Sequence, residues 1–325
     1  MRFSHLVIAL AIVSGLVVST TAVRSAQPGL AYDEVTRIVL GQAAPDPGNF
    51  PADFQAAVNA QRAVAGGGTH GGLFGSIMNA VDMARNAVNM LQTGTASTEY
   101  YLGGSRRTDD VGAQTGTIFK ASPRETIYLD MAKQTYRIET PNYQFASETP
   151  PPLERMRNPS GRPAQPGSGR LTITVSVTSL GAMRISNVPT TGYRTAFSMT
   201  ETQSTGSCAD GTFQVTMTEY LSPYAEPRVS SGGVAPRRTS IPRPEMMALK
   251  PGCTPTIVTH TSGGTHVPSG RLSMWSLITI GGSAPTAEGR FSGGFSTLIE
   301  RGNVRQLTSN DRGLFEIPSG YARAQ

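Results

Sequence analysis

The chain has 325 residues, and its low charged fraction (15%) together with 36 glycines and 23 prolines favours short strands and many turns over a mainly helical fold. The formal net charge of +6 is spread over arginines scattered through loops rather than gathered into a basic stripe. This distribution disfavours nucleic acid as a partner.

The first 26 residues have the layout of a secretory signal peptide. A short positive start precedes an apolar run from Leu6 to Val18, and small residues then provide cleavage points after Ala22 or Ser25. The apolar run is too short for a comfortable membrane span. We therefore expect an exported protein, periplasmic or extracellular, with no integral membrane span after cleavage.

Residues 27–95 form an N-terminal segment, and its clearest predicted element is an amphipathic helix over residues 73–91 that ends at Thr93-Gly94. A shorter helix could begin at Pro51 and stop at the glycines 66–68. One face of the longer helix is apolar: Phe74, Ile77, Met78, Val81, Ala84, Val88 and Leu91. Such a stripe is typical of a helix packed on a sheet, and a movable lid over an apolar cavity would need the same stripe.

From residue 96 to the end, at 325, the hydrophobic period changes to two, as in half-buried strands. Leu171, Ile173 and Val175, for example, alternate with threonine and serine. Two proline-rich loops, 141–169 and 222–255, interrupt the pattern without separating it into parts that could each close alone. The predicted fold class is therefore mainly β (α+β): one large curved antiparallel sheet, a half-barrel of about ten strands with one dry face, covered by the amphipathic helix.

Cys208 and Cys253 are the only cysteines, and in an oxidising compartment two cysteines most often form one disulfide. No Cys-x-x-Cys motif points to a redox site. We expect a structural disulfide between them, which in the chain-entropy model stabilises the fold by roughly 4 kcal/mol.

No catalytic motif stands out, so neither catalytic residues nor a cofactor are predicted. Gly-x-Ser-x-Gly is absent from the sequence. His260 and His266 flank a short turn, but no further metal-ligating residue lies nearby in sequence, and we predict no metal site. A hydrolase with a dispersed site, using for example Ser207 or His260, remains an alternative because one sequence does not show which side chains meet in space.

Three segments resemble an exported bacterial family of unknown function. They are Ile127 to Tyr136 (IYLDMAKQTY), Thr191 to Thr195 (TGYRT) and Asp311 to Tyr321 (DRGLFEIPSGY). That group is similar to the outer-membrane lipoprotein carrier (LolA-like) superfamily. The resemblance implies a curved antiparallel half-barrel in which helices cover an apolar concavity, and a lipid or a lipoprotein acyl chain as the ligand class.

The function expected from these features is a monomeric, non-enzymatic carrier or chaperone of a lipophilic ligand in the cell envelope. The alternatives are the hydrolase and a structural or interaction protein that uses its exposed loops. An ordinary filled core would use the same apolar residues as a ligand cavity. The candidate ligand-lining residues are Phe74, Met78, Val81, Ile127, Leu129, Tyr136, Ile173, Val175, Phe197, Phe213 and Val215.

Overall fold

The computed structural model describes residues 29–39, 47–65, 92–140, 166–227, 253–286 and 289–324. The predicted signal peptide, the predicted helix 73–91 and most of the two proline-rich loops lie outside the described residues. No helix within these ranges is long and apolar enough to cross a membrane.

The fold is mainly β, and its strands form one large, open, curved sheet, as the sequence predicts. The described chain contains thirteen strands rather than the predicted number of about ten. They are β1 (Gly29–Val39), β2 (Thr95–Leu102), β3 (Ser105–Asp110), β4 (Thr115–Ala121), β5 (Arg124–Asp130), β6 (Thr135–Glu139), β7 (Arg170–Ile185), β8 (Val188–Thr202), β9 (Gly211–Ala225), β10 (Thr256–Ser262), β11 (Arg271–Thr286), β12 (Gly289–Leu307) and β13 (Ala322–Arg323).

The strand order across the sheet is β10-β7-β8-β9-β11-β12-β1-β2-β3-β4-β5-β6-β13. The pairing is antiparallel except at the two edges, where β10 runs parallel to β7 and β13 runs parallel to β6. Two helices are described in full beside the sheet, namely α1 (Phe50–Ala65) and a 3-10 helix (Ser309–Phe315). The first of these is the short helix predicted to begin at Pro51.

Strand β1 lies in the middle of the sheet, between β12 and β2, although the sequence gives no period-two signal there. The reason is its burial on both faces: Leu30, Ala31 and Tyr32 are consecutive and all buried. A strand that is buried on both sides needs no alternation of apolar and polar residues. The sheet therefore begins well before residue 96.

The N-terminal half of the sheet, strands β1 to β6, is covered on one face by α1 and by the C-terminal segment. Val35 of β1 and Ala96 of β2 pack against Phe50, Ala57 and Val58 of α1. Further along the same face, a second cluster joins strands β1, β4 and β5 to the 3-10 helix: Ala31, Ile118, Ile127, Leu129, Leu307 and Phe315.

The C-terminal half of the sheet buries the opposite face. Val35 is in register with Glu300, and Glu300 with Trp275 of β11. Ile280 lies five positions after Trp275 on β11, and it is in register with Val215 of β9. Because side chains alternate along a strand, Ile280 and Val215 face away from the side that α1 covers. The prediction of one dry face for the whole sheet is thus wrong, because apolar side chains are buried on both faces.

One buried apolar cluster reaches across the centre of the sheet. Ile185 and Val188, at the tip of the β7–β8 hairpin, belong to the same cluster as Leu30 and Tyr32 of β1. Residues of the intervening strands β11 and β12 complete the cluster, among them Leu272, Met274 and Leu298.

Candidate apolar binding face

One continuous line of apolar side chains crosses five neighbouring strands in the C-terminal half. Each residue is the register partner of the next, so all five lie on the same face. The residues, from β7 to β12, are Val175, Phe197, Val215, Ile280 and Phe295. With Leu171, Ile173, Met199 and Phe213, which flank this line on the same face, they form what we call the apolar face.

The apolar face is buried in its middle and open to solvent at its margins. Phe197 is 2% exposed, whereas Phe295 on β12 is 43% exposed. At the other margin, Ile257 of the edge strand β10 is in register with Leu171 and is 54% exposed. Neither α1 nor the 3-10 helix packs on this face: α1 contacts β1, β2 and β12 on the opposite face, and the 3-10 helix contacts β3 and β4. Large exposed apolar side chains beside a buried apolar cluster are typical of a ligand or partner site.

Glycines leave part of the apolar face without side chains. The line next to Val215 and Ile280 contains Phe213, Gly282 and Gly293 in register. A Cβ at Gly282 would lie 2.5 Å from the backbone carbonyl oxygen of Thr212. Glycine in a strand at so close an approach marks a tight bend of the sheet. This part of the apolar face therefore carries no side chain at Gly282 or Gly293.

The structure brings together five of the candidate lining residues and separates three others from them. Ile173, Val175, Phe197, Phe213 and Val215 form one cluster on the apolar face. The other three, Ile127, Leu129 and Tyr136, are covered on the opposite face by the C-terminal segment. Phe74, Met78 and Val81 lie outside the described residues.

Sequence reasoning missed the contributions of β10, β11 and β12 to this face. Ile280 lies in an alternating run with Ile278, and this signal was present in the sequence. Phe295 and Ile257 gave no comparable signal, since glycine and serine surround Phe295 and Ile257 stands in a short edge strand.

On the N-terminal half, the same face of the sheet is charged and internally paired. Arg106 donates from Nε and Nη2 to the two carboxylate oxygens of Glu99, at 2.9 and 3.0 Å, and the Thr108 hydroxyl donates to Glu99 at 3.0 Å. Arg301 donates to Glu34 at 2.7 Å and lies over the ring of Tyr32.

Two tyrosines within this charged network have strongly raised pKa values. Burial raises the pKa of Tyr32 to about 12, and burial likewise raises the pKa of Tyr101. Both phenols therefore stay protonated at physiological pH. This paired network lies on the same face as the apolar line and borders it on the N-terminal side.

The predicted disulfide is present between Cys208, which follows β8, and Cys253, which precedes β10. Glu201 lies beside it, with Oε1 3.3 Å from the sulfur of Cys253. Among the described residues, these three are the one group of three or more His, Cys, Asp or Glu side chains close enough to share a metal ion. Both sulfurs are bonded to each other, so this arrangement does not present two thiolate ligands.

Ser207 and His260 do not meet. Ser207 lies next to Gly167, whereas His260 is in register with Thr174. Seven residues along an extended chain correspond to roughly 23 Å, so the two side chains cannot form a nucleophile–base pair.

Two of the three segments that resemble the exported family lie together. Residues 127–136 form the β5–β6 hairpin, and residues of the segment 311–321, including Phe315 and Tyr321, pack in the same cluster as Ile127 and Tyr136. The third segment, Thr191 to Thr195, lies within β8. No family model matches this chain, and neither a curated protein nor a solved structure matches it.

Proposed function

We propose that this is an exported, non-enzymatic, monomeric binding protein that carries a lipophilic ligand or acyl chain on the apolar face. The observation that supports the proposal best is the line of five apolar residues, which runs from buried Phe197 to solvent-exposed Phe295. The disulfide suits a protein that works in an oxidising compartment.

The dimensions and energetics of the apolar face suit an acyl chain. Five strands span four spacings of about 4.8 Å, which gives an apolar line roughly 19 Å long. Burial of about twelve methylenes at roughly 0.8 kcal/mol each reaches the roughly 8 kcal/mol that micromolar binding requires. We expect the chain to lie along this line and to make its solvent-accessible contacts at Val215, Ile280 and Phe295.

We extend the proposal to the cover of this face. In the LolA-like architecture that the sequence resembles, helices cover the apolar concavity of a half-barrel. The predicted helix 73–91 has the matching apolar stripe, and Phe74, Met78 and Val81 are the side chains we expect to contact the ligand. This assignment rests on the sequence pattern and on the presence of an apolar face that the described helices leave uncovered.

The test uses the two exposed margins of the apolar face. Phe295→Ser should weaken the binding of an apolar fluorescent probe by about tenfold, since it removes roughly 1–2 kcal/mol of apolar contact. Ile257→Ser should leave the binding nearly unchanged, because β10 lies at the far margin of the sheet from β12. Both residues are already exposed, so the fold should survive the change. A free fatty acid should compete with the probe.

Val64→Ser is the matched control, because Val64 is similarly exposed (39%) but lies on α1, at the other half of the sheet. The control should bind the probe as the unchanged protein does. Equal probe affinity in all three variants would contradict the proposal. Native mass spectrometry of protein purified from its source supplies a second readout, in which we expect a co-purified lipophilic mass.

A further inference from the structure

A buried charge cluster joins the first turn of α1 to the sheet. Arg37 of β1 donates from Nη1 to Asp53 of α1 at 3.1 Å, and from Nη2 to Glu300 of β12 at 3.4 Å. One guanidinium group therefore faces two carboxyl groups that come from different elements. We call Arg37, Asp53 and Glu300 the α1 anchor.

The charge count of the α1 anchor is unbalanced when both acids are ionised. Two carboxylates and one guanidinium leave one net negative charge, and the site holds little water: the exposed fractions of the side chains are 17% for Arg37, 25% for Asp53 and 4% for Glu300. An uncompensated charge in such a site is costly. One proton on the carboxyl pair makes the anchor neutral.

The groups that act on Glu300 come from all three elements packed around it: Arg37 from β1, Asp53 from α1 and Trp275 from β11. Burial raises the pKa of Glu300 to about 7, the Arg37 charge lowers it, and the Asp53 carboxylate raises it again. The other nearby ion pair, Glu34 with Arg301, lies on the opposite face, because Glu34 is the direct neighbour of Val35.

We propose that Glu300 holds a proton while α1 is docked, and that loss of this proton loosens the docking of α1 on the sheet. The anchor then works as a proton-controlled latch. When Glu300 is protonated, the guanidinium neutralises Asp53 and the helix is held. When Glu300 ionises, the second carboxylate repels the first across the interface between helix and sheet.

The direction of the pH dependence follows from the raised pKa. In the docked state Glu300 binds its proton up to about pH 7, whereas in the opened state its pKa returns to the ordinary value of 4.5. The stability that the proton contributes to docking is complete below the pKa of the opened state, 4.5, and is lost as the pH rises through the pKa of the docked state, about 7. Between these values, the opening equilibrium of α1 should increase by at most about tenfold per pH unit.

The chain carries a built-in reporter of this titration. Trp275 is the sole tryptophan, and it lies directly opposite Glu300 in the β11–β12 ladder. Titration of the full-length protein from about pH 5 to about pH 9 should change the tryptophan fluorescence with a midpoint near the pKa of about 7. Glu300→Gln should abolish the transition, because the amide copies the protonated acid and does not ionise.

Two further variants make the result decisive. Glu316→Gln is the control, since Glu316 is an exposed acid that pairs with Lys120 far from the anchor, and its transition should match that of the unchanged protein. Asp53→Asn should move the midpoint to lower pH, because it removes a negative charge that holds the proton on Glu300. This variant also gives an answer if Glu300→Gln fails to fold.

Hydrogen exchange of the α1 amides, corrected for the intrinsic effect of pH, reports the latch itself. We expect faster opening of α1 above neutral pH in the unchanged protein and a flat profile in Glu300→Gln. A fluorescence transition that persists in Glu300→Gln, a midpoint that does not fall in Asp53→Asn, or α1 exchange that is independent of pH would each overturn the proposal.

Discussion

Single residues decide how closely α1 approaches the sheet. Gly302 of β12 lies beneath the ring of Phe50, and a Cβ at this position would overlap that ring. At the other end of the helix, Gln61 is 4% exposed and uses both ends of its amide: its oxygen accepts from the Ala96 backbone N–H and its nitrogen donates to Asp110. Gly112 provides the space for this side chain. Helix and sheet thus fit closely at both ends of the contact.

Gly302→Ala should destabilise the protein by about 1–3 kcal/mol, because the new methyl group must displace a buried aromatic ring. Gly313→Ala is the matched control, since no atom lies within 4 Å of a Cβ built there. The control should stay within about 0.5 kcal/mol of the unchanged protein. Chemical denaturation measures both. Equal stability of the two variants would show that Phe50 does not pack on Gly302.

At the level of elements, the C-terminal segment covers one face of the N-terminal strands. The 3-10 helix begins with a capping box. The Thr308 hydroxyl accepts from the Asn310 backbone N–H, and the Asp311 carboxylate accepts from the Thr308 backbone N–H. This cap orients Phe315 into the cluster around Ile118 and Ile127. The chain then returns to the sheet as β13, parallel to β6. The cluster therefore depends on the last fifteen or so residues of the described chain.

Phe315→Ala should cost about 3–5 kcal/mol of unfolding free energy, because it leaves a cavity between the 3-10 helix and strands β4 and β5. Arg312→Ala, an exposed position in the same helix, should change stability by no more than about 0.5 kcal/mol. Thermal and denaturant unfolding compare the two. A Phe315→Ala protein as stable as the Arg312→Ala protein would mean that the segment does not complete this core.

How far the sequence predicts the elements depends on their environment. The first half of β7 is predicted well, because Leu171, Ile173 and Val175 alternate cleanly with threonine and serine. Strand β1 is not predicted, since both of its faces are buried and alternation is lost. The disulfide follows from the number of cysteines and the expected compartment, and the structure confirms it.

At the scale of the whole molecule, two dry faces on opposite sides of one sheet explain why the candidate site divides. Period-two alternation shows that Ile127 and Val175 each point to a dry face, but it does not show that the two faces differ. That difference depends on register through β9, β11, β12 and β1, which joins residues far apart in sequence. The α1 anchor has the same origin, because Arg37 and Glu300 are separated by 263 positions.

The most direct test of the central claim is to locate a bound acyl chain on the protein. A fatty acid with a photoactivatable group in its chain is bound and irradiated, and the labelled peptides are identified by mass spectrometry. We expect saturable labelling on β9, β11 and β12 around Val215, Ile280 and Phe295, which an unlabelled fatty acid suppresses. Labelling confined to β1–β6, or labelling that does not saturate, would contradict the assignment of the apolar face as the binding site.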